Sequence, residues 1–138
     1  MFDKFFPDRY VASTYVIDFE GLYKEGVRGL IFDIDNTLVP HGAPADERAR
    51  ALFKRLKSIG FRCCLISNNQ KPRVEMFNKD IQVDYVYNAH KPSIRNYLKA
   101  MEIMGTDRDS TVFIGDQLFT DVLSLIHISE PTRLLSIS

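Results

Sequence analysis

The 138-residue chain has no excess of charge of one sign, because 18 Lys and Arg residues are matched by 18 Asp and Glu residues. A neutral chain gives no general reason to expect binding to a nucleic acid. The sequence also lacks any run of roughly 18 apolar residues, the length of a membrane span, and its N-terminus lacks the layout of a signal peptide. We therefore expect a cytoplasmic protein, either free or peripheral to the inner face of the membrane.

Cysteine is scarce as well. The two that are present, Cys63 and Cys64, are adjacent within an apolar run. No further metal ligands lie near them in the sequence, so both are predicted to be core residues rather than metal ligands.

The chain is organised around residues 30–38, LIFDIDNTL. A short apolar run that ends in two aspartates predicts a buried parallel strand, and residues two apart on a strand point to the same side. Asp33 and Asp35 would then repel each other and lose hydration, which requires a proton on one, a metal ion, or both. The alternative is a strand end followed by a polar turn or a helix cap.

Strand and helix patterns alternate along the rest of this single domain. The periodicity predicts strands at residues 29–35, 61–66, 83–88 and 111–114, and helices at 18–26, 44–60, 71–80 and 92–105. The apolar face of the last helix is predicted to comprise Ile94, Tyr97, Leu98, Met101 and Met104. Such alternation implies an α/β fold with a parallel sheet covered on both faces.

Polar residues follow the end of each predicted strand: Asp33 with Asp35, then Ser67, Lys91 and Asp116. Ligands of open α/β sheets bind outside the carboxyl ends of the strands, so these groups should converge. Carboxylates, a lysine and a hydroxyl together can bind a divalent cation and a phosphoryl group, and the small number of oxygen ligands favours Mg²⁺. Taken singly, Ser67 and Asp116 could instead be helix caps, and Lys91 a solvated surface residue.

The chemistry that this set favours is phosphoryl transfer. Asp33 could attack phosphorus, with a metal ion reducing the repulsion between the two anions. Asp35 could protonate the leaving oxygen and later deprotonate water, but only if its pKa is raised. A neighbouring carboxylate promotes that shift and a nearby cation opposes it.

The order of these motifs resembles that of the haloacid dehalogenase superfamily. The matching stretches are DIDNTL at 33–38, ISN at 66–68, KP at 91–92 and GDQLFTD at 115–121. Together with FPDRY at 6–10, IFDIDNTLV at 31–39 and HKPS at 90–93, they make residues 1–122 similar to the YqeG family of subclass IIIA phosphatases. That family is related to phosphatidylglycerophosphate phosphatases. The resemblance implies a Rossmann-like fold, which in this chain is expected to be capless because of the short spacing between the motifs.

The resemblance also implies a role for each matching position. Asp33 would be the nucleophile that forms an aspartyl-phosphate, and Asp35 the general acid and base. The phosphoryl group would be bound by Ser67, Asn68 and Lys91, while Thr37 would steady the nucleophile loop. Mg²⁺ would be held by Asp33, the backbone carbonyl of Asp35, Asp116 and Asp121. Arg73 lies near these residues in sequence and is a candidate for contact with the substrate.

No insertion between the motifs is long enough for a cap domain, so the site should be open. An open site suits a phospholipid headgroup or a macromolecule as well as a phosphorylated small molecule, and the family relation suggests phosphatidylglycerophosphate. The alternatives are a receiver-like phosphoacceptor in signalling and a catalytically silent interaction module. In a receiver the usual order of acids, threonine and lysine differs from the order found here.

Residues 123–138 are predicted to have a non-native origin. Residues 123–133 are what a common transposase-based sequencing adapter encodes, and residues 137–138 match its continuation after a sample index. We therefore expect residues 1–122 to be a phosphatase domain truncated after its fourth motif. Residues 123–138 are expected to be a non-native tail and are left out of the predicted fold, and the strand at 111–114 is expected to lose a neighbour.

Overall fold

The described part of the chain folds into a six-stranded parallel sheet with helices on both faces. The computed structural model describes residues 9–11, 13–67, 70–87, 94–116 and 133–137. The strands are β1 (Arg9–Val11), β2 (Gly29–Asp33), β3 (Arg62–Ile66), β4 (Asp84–Val86), β5 (Thr111–Asp116) and β6 (Arg133–Ile137). The helices are α1 (Phe19–Lys24), α2 (Glu47–Ile59), α3 (Lys71–Asn78) and α4 (Ile94–Met104). None of these helices is both long and apolar enough to cross a membrane.

The strand order is β1-β6-β5-β2-β3-β4, with every neighbouring pair parallel. The apolar residues of β2 alternate between two cores: Leu30 and Phe32 pack with α1 and α2, whereas Ile31 packs with α4. Both faces of a parallel sheet are normally covered by helices in this way. The α/β fold predicted from the sequence is therefore confirmed.

Polar residues and glycine set the ends of the helices. Asp18 and Asp46 cap α1 and α2 by accepting hydrogen bonds from the backbone N–H groups of Gly21 and Ala49. Gly60, with φ of 121°, ends α2 because glycine tolerates this conformation. The carboxylate of Asp46 makes α2 begin at Glu47, three residues after the predicted start at residue 44.

Both cysteines lie in the core, as predicted. Cys63 and Cys64 are buried free thiols that point to opposite faces of the sheet. Burial raises the pKa of each thiol to about 12, so the thiolate form that binds metals or attacks electrophiles is disfavoured.

The predicted apolar face of α4 is wrong at one position. Leu98 is 42% exposed, while Ala100 is fully buried. The buried stripe contains Tyr97, Ala100, Met101 and Met104, which are spaced by three and four residues. Leu98 lies about 100° around the helix from Tyr97, on the edge of this stripe, where its side chain reaches solvent.

The prediction that the strand at 111–114 loses a neighbour is wrong, because part of segment 123–138 forms β6. This strand lies between β1 and β5, so β5 keeps a neighbour on that side. Leu134, Leu135 and Ile137 are buried, and parallel pairing needs only backbone hydrogen bonds with apolar side chains on the two faces. The Ser136 hydroxyl, however, is buried without a hydrogen-bond partner within the described residues. The adapter origin of the segment stays a prediction.

Truncation of Leu135 tests whether β6 forms in solution. Leu135 is 3% exposed and packs in the core that includes Phe32. We expect Leu135→Ala to lower the free energy of unfolding by about 2–5 kcal/mol, measured by urea denaturation. The control is Leu98→Ala on the surface of α4, which should change stability by no more than about 0.5 kcal/mol. Equal effects of the two substitutions would mean that β6 does not pack as described.

Candidate active site

Three neighbouring strands bring Asp33, Ser67 and Asp116 to the carboxyl edge of the sheet. Asp33 pairs in register with Ile66, and Ser67 follows at once. Asp116 ends β5, one residue beyond the position level with Asp33. Connections run from β2 towards β3 on one side and return to β5 on the other, so the β2–β5 boundary is a topological switch point, where open α/β sheets bind ligands.

Gly115 permits close packing at this boundary. A Cβ added at this position would lie 2.6 Å from Cε2 of Phe113 and 3.5 Å from Cβ of Asp33. The Phe113 ring is fully buried and has little room to move. Glycine therefore lets β5 approach Asp33 without displacing this ring.

A tight turn follows Asp33. The strand ends there and not at residue 35, because the carbonyl of Ile34 already accepts hydrogen bonds from the N–H groups of Thr37 and Leu38, at 3.2 and 3.0 Å. Asn36 has φ of 64°, a left-handed conformation that asparagine adopts more readily than most residues. Asp35 is therefore placed by a turn rather than by an extended strand.

The segment before α1 holds this turn from outside. The hydroxyl of Thr14 donates to the carbonyl of Thr37 at 2.6 Å, and that of Tyr15 donates to the carbonyl of Leu38 at 2.7 Å. Thr14 is fully buried, so its hydrogen bond is shielded from water. Nothing in the local sequence pattern pointed to these contacts, which join residues 23 positions apart.

The environment of Asp33 disfavours the negative charge of its carboxylate. Its side chain is buried, and burial followed by repulsion from Asp116 and Asp35 raises its pKa well above the usual range. The N–H groups of Ile34 and Asp116 only partly oppose this shift. Asp33 therefore needs a proton or a nearby cation, as the two-aspartate pattern predicts.

Asp35 has a different environment from the one expected. Its Oδ1 accepts hydrogen bonds from Nη2 of Arg73 at 2.6 Å and from the N–H of Gly42 at 2.8 Å. Burial alone would raise the pKa of Asp35, but these bonds and the charge interactions with Arg73 and His41 outweigh it, so the pKa is lowered. A proton donor requires a raised pKa. The contacts of Asp35 instead lower its pKa, so they do not favour its role as the proton donor.

The sequence pattern did not indicate that Arg73 pairs with Asp35. Arg73 lies in the first turn of α3, the next element along the chain after β3. Long side chains on a helix point back towards its N-terminus, which here faces the carboxyl edge of the sheet. This direction is the sequence signal that could have assigned Arg73 to Asp35.

Of the other predicted site residues, the structure describes Ser67 and Thr37. Ser67 is buried, and its N–H donates to the carbonyl of Val86 at 3.0 Å. Thr37 is buried with its hydroxyl unpartnered within the described residues. Asn68, Lys91 and Asp121 lie outside the described residues.

The donor set fits a hard divalent cation. Asp33 and Asp116 interact closely enough for their repulsion to raise the pKa of Asp33. No group of three His, Cys, Asp or Glu residues in the described ranges is arranged to hold a metal ion. The predicted set, however, uses a backbone carbonyl as third ligand, and its fourth, Asp121, is outside those ranges. Oxygen ligands in small number are those that Mg²⁺ prefers, with water completing the shell.

Comparison with known proteins gives consistent relatives. A family model described as haloacid dehalogenase-like hydrolase matches residues 41–128. The chain is 38% identical over 125 residues to the probable phosphatase YqeG of Bacillus subtilis (strain 168), covering 89% of this chain and 73% of that protein.

Two solved structures share the fold. A hypothetical protein of Xanthomonas campestris aligns with a TM-score of 0.63 at 19% identity, covering 91% of this chain and 72% of that one. The cobalt-bound deoxy-D-mannose-octulosonate 8-phosphate phosphatase of Haemophilus influenzae aligns with a TM-score of 0.59 at 14% identity, covering 80% and 78%. At these identities the similarity concerns the fold alone.

Proposed function

Because the chain belongs to the haloacid dehalogenase-like hydrolases, as a phosphatase of the YqeG type, we propose that it hydrolyses phosphate monoesters with Mg²⁺ through a phosphorylated Asp33. The observation that supports this most is the buried Asp33 beside Asp116, at the switch point of the sheet. Two acids that repel each other at a ligand-binding edge suit a cation, and a cation there also attracts phosphate.

The reaction has two steps. In the first, a carboxylate oxygen of Asp33 attacks phosphorus, the bond from phosphorus to the leaving oxygen breaks, and Asp35 gives that oxygen a proton. In the second, Asp35 takes a proton from water, whose oxygen attacks phosphorus and releases Asp33 and inorganic phosphate. When bound, Mg²⁺ supplies positive charge that reduces the repulsion between Asp33 and the substrate.

The remaining residues bind and orient. Ser67, Asn68 and Lys91 would hold the phosphoryl oxygens, and Thr37 would steady the turn that carries Asp35. The metal ligands would be Asp33, the backbone carbonyl of Asp35, Asp116 and Asp121. The pairing of Asp35 with Arg73 suits the second step, in which a carboxylate accepts a proton, better than the first.

The proposed substrate is phosphatidylglycerophosphate, as the sequence resemblance implies. Between Thr37 and Ser67 the chain forms only a turn, a loop, α2 and β3, with no inserted domain to cover the site. A site without such a domain can receive a phosphate group that remains attached to a membrane. The protein would then act at the inner face of the membrane by peripheral contact.

Phosphate release from an aryl phosphate tests this function. We expect release that requires Mg²⁺, stops with EDTA and returns when Mg²⁺ is added again. Folding is checked by circular dichroism, and phosphatidylglycerophosphate in detergent micelles is assayed alongside. A folded, metal-loaded chain that releases phosphate from neither substrate would overturn the proposal. A phosphorylated enzyme that persists far longer than a turnover would favour the receiver-like alternative.

A further inference from the structure

Arg73 has donors that no described residue uses. Its Nη2 donates to Asp35 at 2.6 Å, and the two side chains are only 13% and 12% exposed. Its Nε and Nη1 are buried, and neither has a hydrogen-bond partner within the described ranges. Nε carries one N–H and Nη1 carries two, so three donors of a charged group remain unsatisfied.

Unsatisfied donors on a buried cation are unusual. Buried polar groups in folded proteins nearly always have partners, and an arginine kept only for its ion pair would be expected to use its remaining donors as well. Guanidinium groups preferentially bind planar anions such as carboxylate and phosphate through several N–H groups at once. The Arg73 donors that no described residue uses therefore indicate an anionic ligand that is bound in addition to Asp35.

The contact with Asp35 indicates which part of a substrate that ligand would be. Asp35, as the acid and base, must face the leaving oxygen, which lies opposite Asp33 across phosphorus. A guanidinium that is hydrogen-bonded to Asp35 therefore lies beside the leaving group and not beside the transferred phosphoryl group.

We propose that Arg73 is a specificity-determining residue that binds a second anionic group within the leaving alcohol of the substrate. The substrate class is then a phosphate monoester whose alcohol also carries a phosphate, phosphodiester or carboxylate. This inference rests on the proposed function, because it needs Asp33 and Asp35 to define the two sides of the phosphorus atom.

Binding without turnover tests the inference. In the Asp33→Asn protein with Mg²⁺, calorimetry compares glycerol 1,3-bisphosphate with glycerol 1-phosphate. We expect the bisphosphate to bind about 10- to 100-fold more tightly, the range for hydrogen bonds to a charged group. Adding Arg73→Gln should bring the ratio of the two dissociation constants close to one. Adding Arg62→Gln instead, at the opposite end of the sheet, should leave the ratio unchanged.

A second variant covers the case in which Arg73→Gln does not fold. Arg73→Lys keeps the charge but has fewer donors in a different geometry, so it should reduce the ratio without removing it. A preference that is absent in the Asp33→Asn protein, or undiminished in either Arg73 variant, would overturn the inference. Binding of phosphatidylglycerophosphate in neutral micelles then separates the two sources. Tighter binding than to the bisphosphate assigns a lipid headgroup, and weaker or equal binding assigns a soluble metabolite.

The two proposals fail in different ways. An intact preference in the Asp33→Asn protein, together with no phosphate release by the unmodified chain, would overturn the proposed function and keep Arg73 only as an anion-binding residue. Phosphate release without any preference that depends on Arg73 would overturn this inference alone.

Discussion

Asp33→Asn is expected to lower phosphate release by about 10⁴-fold or more, because an amide cannot replace the attacking carboxylate. The same substitution should make the metal-free protein more stable, on the order of 1 kcal/mol, as is common when a strained functional group is removed. The buried carboxylate is repelled by Asp116 and Asp35, whereas an amide of the same shape is not. Activity and stability should therefore change in opposite directions.

The pH dependence of stability follows from the raised pKa of Asp33. Between the unfolded pKa, about 3.9, and the higher folded pKa, the native state binds more protons than the unfolded state. The Asp33 contribution therefore lowers stability as pH rises through this interval, and Asp33→Asn should remove that contribution. Urea denaturation in EDTA at a series of pH values measures it.

A surface aspartate supplies the control for both effects. Asp80 is exposed just after α3, so Asp80→Asn should keep both the phosphatase activity and the pH dependence of the parent protein. Phosphate release by Asp33→Asn within tenfold of the parent would exclude Asp33 as the nucleophile. A loss of stability in EDTA would mean that the carboxylate is stabilised by contacts that the amide cannot make.

Local patterns were sufficient to predict most of the sheet and its helices. The apolar run before Asp33 predicts β2 because both faces of a parallel strand are buried. Asp18 and Gly60 mark helix ends by hydrogen bonding and backbone conformation within a few residues. Such features are encoded in short stretches and do not depend on the rest of the fold.

Features that depend on distant contacts could not be predicted in this way. β1 has three residues, too few for a periodic pattern, and it pairs with β6 from the other end of the chain. The adapter-like sequence of β6 predicts no strand there, although its apolar side chains are suited to a strand within the sheet. The exposure of Leu98 follows from how α4 is rotated against the sheet. The spacing of apolar residues along the sequence does not determine this rotation to within one residue.

The site shows the same division. The convergence of Asp33, Ser67 and Asp116 follows from strand topology, which the alternation of elements predicts. The opposite pKa shifts of Asp33 and Asp35 do not follow from strand topology, because they depend on which charge lies beside each carboxylate. Asp116 acts on Asp33 from β5, and Arg73 acts on Asp35 from α3. Only the folded structure shows that Asp116 lies beside Asp33 and that Arg73 lies beside Asp35.

Mg²⁺ is expected to stabilise the protein strongly, because it would replace the repulsion between Asp33 and Asp116 with two attractions. At 100 times the dissociation constant, a ligand specific for the native state adds about 2.7 kcal/mol to the free energy of unfolding. For a domain of this size the melting temperature would rise by roughly 10 °C. The rise should shrink at acidic pH, where a proton on Asp33 competes with the metal, and the raised pKa extends that competition upwards.

Asp116→Asn separates binding at this site from binding elsewhere. It should abolish most of the Mg²⁺-dependent rise in melting temperature, and Asp80→Asn should retain all of it. If Asp116→Asn and Asp33→Asn both kept the full rise, the ion would be bound away from these two carboxylates. The repulsion at Asp33 would then be relieved by a proton, and a protonated carboxyl cannot attack phosphorus. That result would therefore count against the phosphorylated Asp33 as well as against the metal site.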